Sequence, residues 1–180
     1  MIGDSQRIAL ESASVAEAVA GHAEVVDSLC IPGSDGSRPL IVVKSKGYLT
    51  AAELRRHCGE SGMDAEFDVL LVDELPTSDV AALDSARLSV DAAPGTLFRF
   101  EAPQGEIETE LVSLWERVLD FTPISVVDDF VDVGGDSLVA LEIAMAIARR
   151  WNVNVDLVDL VDASSVRNLA ALVNAAQANQ

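Results

Sequence analysis

Gly134-Gly135-Asp136-Ser137-Leu138 stands at the junction between a stretch with no regular period and a long helical pattern, and its reading decides how the C-terminal part of the chain folds. Two adjacent glycines permit backbone conformations closed to other residues and leave space for close approach by a partner. Asp136 is suited to cap a helix that begins at Ser137. The Ser137 hydroxyl then projects at a helix N-terminus, where unpaired amides and the positive end of the dipole favour a phosphate.

Working outward, the pattern after Pro103 is helical throughout. Ile107, Leu111, Leu114 and Val118 share one helical face, and Trp115 widens it. A loop over 120–136, containing Pro123 and the two glycines, leads to a second helix from Ser137 to about Trp151, with Leu141, Ala144, Ile147 and Ala148 available to turn inward. A short element around Leu157 to Val161 precedes a last helix that Ser164 or Ser165 can cap, carrying Val166, Leu169, Leu172 and Val173. Helices of this length are marginal alone, so they must pack as an all-α four-helix bundle with a long first loop, over residues 104–178.

The N-terminal part reads differently. Ile8-Ala9-Leu10 is extended, 14–22 helical, Val25 to Ile31 strand-like, Pro32-Gly33-Ser34-Asp35-Gly36 a turn, and Leu40-Ile41-Val42-Val43 a second strand. Thr50-x-x-Glu53 is a capping box that opens a helix running to about Cys58, and Phe67 to Val72 is a buried strand. This alternation predicts a small α/β or α+β domain with a small sheet over 7–88. Residues 89–103, with Pro94-Gly95 and Pro103 and no sustained period, read as a linker.

The 180 residues are 49% hydrophobic and 23% charged, a globular composition, and aromatics at 4% leave a core built from small aliphatic side chains. The net charge of -18 is shared equally between residues 1–103 and 104–180. A field of that sign repels nucleic acid, and no cluster of basic and aromatic residues opposes it. Basic protein surfaces are the better match. Cys30 and Cys58 are too few for a disulfide framework, no secretory signal opens the chain, and the apolar runs are too short for a membrane span. The cytoplasm is the expected location.

Residues 101–178 resemble the peptidyl carrier (thiolation) domains of nonribosomal peptide synthetases. The resemblance rests on Glu106-Ile107-Glu108-Thr109-Glu110-Leu111, Trp115-Glu116-Arg117-Val118-Leu119, and Asp128-Asp129-Phe130-Val131-Asp132-Val133-Gly134-Gly135-Asp136-Ser137-Leu138. It continues through 141–147 to Ser165-Val166-Arg167-Asn168-Leu169-Ala170. Val131 and Val161 stand where the family usually has Phe, and Ser164-Ser165 where Pro-Thr is frequent. The resemblance implies a 4'-phosphopantetheine arm joined to Ser137 by a phosphopantetheinyl transferase that uses coenzyme A and Mg²⁺. Gly134, Gly135 and Asp136 would frame the attachment, and the carrier itself would catalyse nothing. The arm would hold an aminoacyl group, or second an acyl group, as a thioester for condensation, tailoring or thioesterase enzymes. By position in the motif, Leu138, Leu141, Glu142 and Met145 are the partner-contact candidates. Helical spacing alone leaves core packing open for Leu138 and Leu141, and Met145 suits either role.

Two other chemistries can be weighed on the residues. Gly135-Asp136-Ser137-Leu138 also spells the GDSL signature of serine esterases, with Gly3-Asp4-Ser5 a partial second copy. A serine nucleophile needs a base, and no histidine follows His57, which argues against hydrolysis. His22, Cys30, His57 and Cys58 fit no zinc spacing, and His57 and Cys58 diverge by roughly 100° on a helix, so no metal site is expected. A non-catalytic interaction module is the remaining alternative.

The N-terminal part resembles the C-terminal lid of adenylate-forming enzymes through Arg7-Ile8-Ala9-Leu10, Val15-Ala16-Glu17-Ala18-Val19, Gly21-His22-Ala23-Glu24-Val25 and Val72-Asp73-Glu74-Leu75-Pro76 to Leu88. In that correspondence Ala82 occupies the catalytic lysine's place. A methyl cannot stabilise the charge that develops during adenylate formation. Lys44 and Lys46 read as solvated surface. The 180 residues also hold no large adenylating core, so the carrier is expected to be loaded in trans by an adenylation or acyltransferase enzyme.

Overall fold

The structure is a computed structural model that describes residues 13–33, 38–63, 65–75 and 97–178. The chain divides into two units, Met1–Arg99 and Phe100–Gln180.

In the first unit a helix over 13–20 (α1) is followed by β1 (Val25–Ile31), β2 (Leu40–Ser45), α2 (Ala51–Glu60), β3 (Asp68–Leu71) and β4 (Leu97–Phe98). The strands form one sheet in the order β1-β2-β3-β4. β1 and β2 are antiparallel, β2 and β3 are parallel across the α2 crossover, and β3 and β4 are antiparallel. Alternation along the strands sorts the core. Ile41, Val43 and Val69 pack with Val15 and Val19 of α1 and with Leu54 and Cys58 of α2, while Leu40, Val42 and Leu70 form a second buried cluster. Burial of both strand faces explains why 40–43 is an unbroken apolar run. α2 begins where the capping box places it: Thr50 Oγ1 accepts from Glu53 N at 3.2 Å. It continues two residues past Cys58, to Glu60.

The expected linker over 89–103 needs correction at its centre. Leu97 and Phe98 pair with Leu70 and Val69 as an edge strand. Two residues are too few to establish a period, so only the partner strand reveals this one. The extended segment expected at Ile8-Ala9-Leu10, part of the turn at 34–36, and Ala82 lie outside the described residues.

The second unit is helical: α3 (Gly105–Leu119), α4 (Ser137–Trp151), α5 (Leu157–Ala163) and α6 (Val166–Ala178). Its core joins Leu111, Leu114 and Trp115 of α3, Ala140, Ile143 and Ile147 of α4, Leu160 of α5, and Val166, Leu169 and Val173 of α6. The long loop contributes Phe121, Ile124, Phe130 and Val133 to the same core. Trp115 and Phe130 meet edge to face with centroids 5.2 Å apart, a favoured aromatic geometry. The loop's backbone is tied down at several points. Val126 N donates to the Glu101 carbonyl (3.0 Å), Arg167 N to the Val126 carbonyl (2.9 Å), and Phe130 N to the Ser164 carbonyl (2.6 Å).

One inward assignment changes. Leu141 is exposed, as is Leu172, and the buried stripe of α4 is Ala140, Ile143 and Ile147. α4 is apolar at nearly every position from Leu138 to Ile147, so its sequence offers several possible stripes and packing selects one. Among the described residues no helix is long and apolar enough to cross a membrane.

Candidate functional site

The site is built from the core outward, starting at Phe130. Its backbone carbonyl accepts from Gly135 N at 2.8 Å, and the turn tightens further through Gly134 N to the Val131 carbonyl at 2.9 Å. The two glycines serve different needs. Gly134 has φ +93°, a conformation that L side chains rarely adopt. Gly135 lies against Phe130, where an added Cβ would stand 2.5 Å from both the ring and the carbonyl. The close approach expected of a partner is therefore made by this chain's own Phe130. The Gly134-Gly135 turn is thereby fastened to the bundle core. Phe130 is the residue whose role sequence reasoning missed, although an aromatic four residues before a glycine pair was available as a signal.

Asp136, in extended conformation, caps α4. Its Oδ1 accepts from Leu138 N and Val139 N, both at 2.9 Å, and its carbonyl accepts from Ala140 N at 2.8 Å. This corrects the expectation of unpaired amides awaiting a phosphate: a carboxylate of this chain already satisfies two of them. What remains for a group on Ser137 is the positive end of the α4 dipole and open space. Ser137 itself is the first residue of α4 and is exposed. A covalently attached phosphopantetheine fits here, because the hydroxyl is exposed at a position set by the glycine turn and the capped helix. The fit is one of display rather than enclosure.

The four partner-contact candidates fall on one outer face of α4. Leu138 is 74%, Leu141 43% and Met145 50% exposed, and Glu142 is exposed with them. Their positions, 138, 141, 142 and 145, follow the spacing of a single helical face. Core packing, open from sequence alone, is thus not what these apolar side chains do. Val131 in the loop and Val158 and Val161 on α5 are also exposed apolar residues of this unit.

The competing chemistries find no support in the geometry. His22 and His57 lie in the first unit, edge to face with centroids 5.0 Å apart, and His22 Nδ1 accepts from Glu24 N. Ser5 lies outside the described residues. No cluster of three metal-ligating side chains occurs among the described residues. Cys58 is buried, and burial pushes its thiol up to about 11. Lys46 Nζ donates to the Ala23 carbonyl at 2.7 Å, a surface contact.

Residues 109–173 match the family described as "Phosphopantetheine attachment site". Among curated proteins, tyrocidine synthase 3 of Brevibacillus parabrevis is 28% identical over 92% of this chain. The isonitrile lipopeptide synthase of Mycobacterium tuberculosis is 29% identical over 91%. This chain spans only 3% and 7% of their respective lengths. Among solved structures, the complex of the phosphopantetheine transferase Sfp with coenzyme A and a peptidyl carrier protein matches with 32% identity and a TM-score of 0.42. That match covers 42% of this chain and 99% of the other. The segment from Thr109 to Val173, which holds Phe130, the glycine turn and the start of α4, is a phosphopantetheine attachment domain.

Proposed function

We propose that this chain is a peptidyl carrier whose 4'-phosphopantetheine arm is attached at the Ser137 hydroxyl and holds an aminoacyl or acyl group as a thioester. The observation that carries this is an exposed serine at the first position of a capped helix, inside the segment that matches the attachment-site family. When bound, the arm supplies a terminal thiol that forms the thioester. The chain's own residues do something simpler. Gly134 and Gly135 set the turn against Phe130, Asp136 holds the first turn of α4, and Ser137 provides the oxygen of the phosphodiester. A phosphopantetheinyl transferase, drawing on coenzyme A with Mg²⁺, is the partner that modifies it. Leu138, Leu141, Glu142 and Met145 are the surface offered to that transferase and to the enzymes that load, condense, tailor or release the cargo.

Loading in trans follows from the resemblance that sets Ala82 in the place of the adenylating lysine, since alanine provides no positive charge there. The first unit then serves as a docking platform or spacer. ATP–pyrophosphate exchange by the 180 residues with any amino acid would contradict this part of the reading.

The decisive experiment is intact-protein mass spectrometry after incubation with a phosphopantetheinyl transferase, coenzyme A and Mg²⁺. A mass rise of one phosphopantetheine that is lost in Ser137→Ala supports the assignment. No rise, or a rise that persists in Ser137→Ala, overturns it.

A further inference from the structure

The second unit is strongly acidic, yet its positive charge is gathered in one place. From Phe100 to Gln180 the chain has four arginines, at 117, 149, 150 and 167, and no lysine. Three of the four line one cavity of about 530 Å³ between α3 and α4, which also presents the Glu110 carboxylate, Thr109, Ser113 and Trp151. The cavity lies at the C-terminal end of α4. Arg149 is twelve residues from Ser137, roughly 18 Å along a helix axis, so the groove is separate from the arm site, and Arg149 stands one turn beyond Met145 on the outer face.

The arginines are not equivalent. Arg150 is engaged: its guanidinium donates to both Glu110 carboxylate oxygens at 2.6 Å, lies 3.5 Å from Glu106, and sits over the Trp151 ring at 5.7 Å. That arrangement fixes one wall. Arg117 and Arg149 are exposed, and neither meets a carboxylate among the described residues. Placement in the last turns of α3 and α4 complements the helix dipoles, but dipoles do not require that two separate helices aim their cations into one groove.

We infer that this α3–α4 groove binds an acidic peptide segment of a partner protein, with Arg117 and Arg149 taking its carboxylates. Charge complementarity selects the occupant. Guanidinium groups pair with carboxylates in two-point fashion, and the two that meet no carboxylate among the described residues locally oppose the acidic field of a chain of net charge -18. A nucleic acid brings too many charges. The groove's volume suits a few residues rather than a folded surface. Binding there leaves Ser137 with Leu138 and Leu141, two to three turns away, uncovered, so a tethered enzyme could reach the arm while its acidic segment stays bound.

The test uses the full ¹⁵N-labelled chain and the probe acetyl-Glu-Leu-Glu-Glu-Leu-Glu-amide, with its all-Gln analogue and inorganic phosphate as comparisons. The expected result is saturable, salt-sensitive shifts confined to residues 109–117 and 146–151. Affinity should weaken by about tenfold or more in Arg117→Gln/Arg149→Gln, the size expected for charge-assisted hydrogen bonds. Ser137→Ala should bind as the parent does, which separates this inference from the arm assignment. Absence of saturable shifts, shifts centred on 137–145, equal binding of the Gln analogue, equal affinity for inorganic phosphate, or indifference to the double substitution overturns it. Both arginines are exposed, and unchanged circular dichroism of the double variant confirms that its fold is intact.

Discussion

The Phe130 ring and carbonyl occupy the space into which a side chain on Gly135 would extend, so the turn before Ser137 is held by the bundle core and not only by its own sequence. Phe130 in turn packs edge to face on Trp115 of α3. The placement of the serine is therefore coupled to the most buried aromatic pair of the unit.

That coupling predicts an asymmetry between the two glycines. Gly135→Ala must displace Phe130 or the backbone and should cost about 1–3 kcal/mol, the range for forced overpacking. Gly134→Ala meets backbone strain at φ +93°, about 1–2 kcal/mol. Urea unfolding followed by tryptophan fluorescence measures both, because Trp115 and Trp151 both lie in the second unit. The Trp115 environment should also change in the folded Gly135→Ala protein and not in Gly134→Ala. Equal native spectra would argue against the coupling.

Asp136 is expected to act through the helix rather than through the arm. Asp136→Ala removes two cap hydrogen bonds and should lower stability by about 1 kcal/mol, whereas Asp136→Asn retains an acceptor and should lose less. Amide exchange at Leu138 and Val139 is the direct measurement. Unchanged protection there in Asp136→Ala would remove the capping role.

The two faces of α4 should separate in a substitution series. Ile143→Ala opens a cavity at a fully buried site and should cost about 2–5 kcal/mol. Leu141→Ala and Leu138→Ala, on the exposed face, should stay within about 0.5 kcal/mol. In transferase assays the order reverses, with Leu138→Ala and Leu141→Ala slowing modification in a stably folded protein. A large stability loss at Leu141 would return it to the core.

The first unit carries a redox and pH expectation. Burial holds the Cys58 thiol protonated up to about pH 11, against an ordinary value of 9.0. Iodoacetamide at neutral pH should therefore label half-buried Cys30 while sparing Cys58, as read by peptide mass spectrometry. The raised folded value means that the associated stability is intact below about pH 9 and is lost as pH rises through about 11. Cys58→Ala should flatten that alkaline decline. Equal labelling of both cysteines in the native protein would contradict the buried thiol.

Local chemistry made much of this molecule legible. The Asp136 cap, the start of α4 at Ser137, the Thr50 cap of α2 and the buried strand near Val69 each depend on residues within a few positions of one another, and each stands near where its residues place it. The same holds for the serine motif with a helix on either side. Other features depend on residues distant in the chain. Leu97 and Phe98 become a strand only because β3 offers an edge, and Leu141 faces outward because Ile143 and Ile147 win the core in a helix whose pattern permits several stripes.

By itself, then, the sequence determined a helix-capped serine in a bundle of small aliphatic residues, because capping and helical period are short-range properties. Tertiary structure decided which α4 face is free, that Gly135 yields to Phe130, that Asp136 takes the amides a phosphate could have used, and that Arg117 and Arg149 share a groove. Those outcomes are contests between groups far apart in the chain, and only packing brings the contestants together.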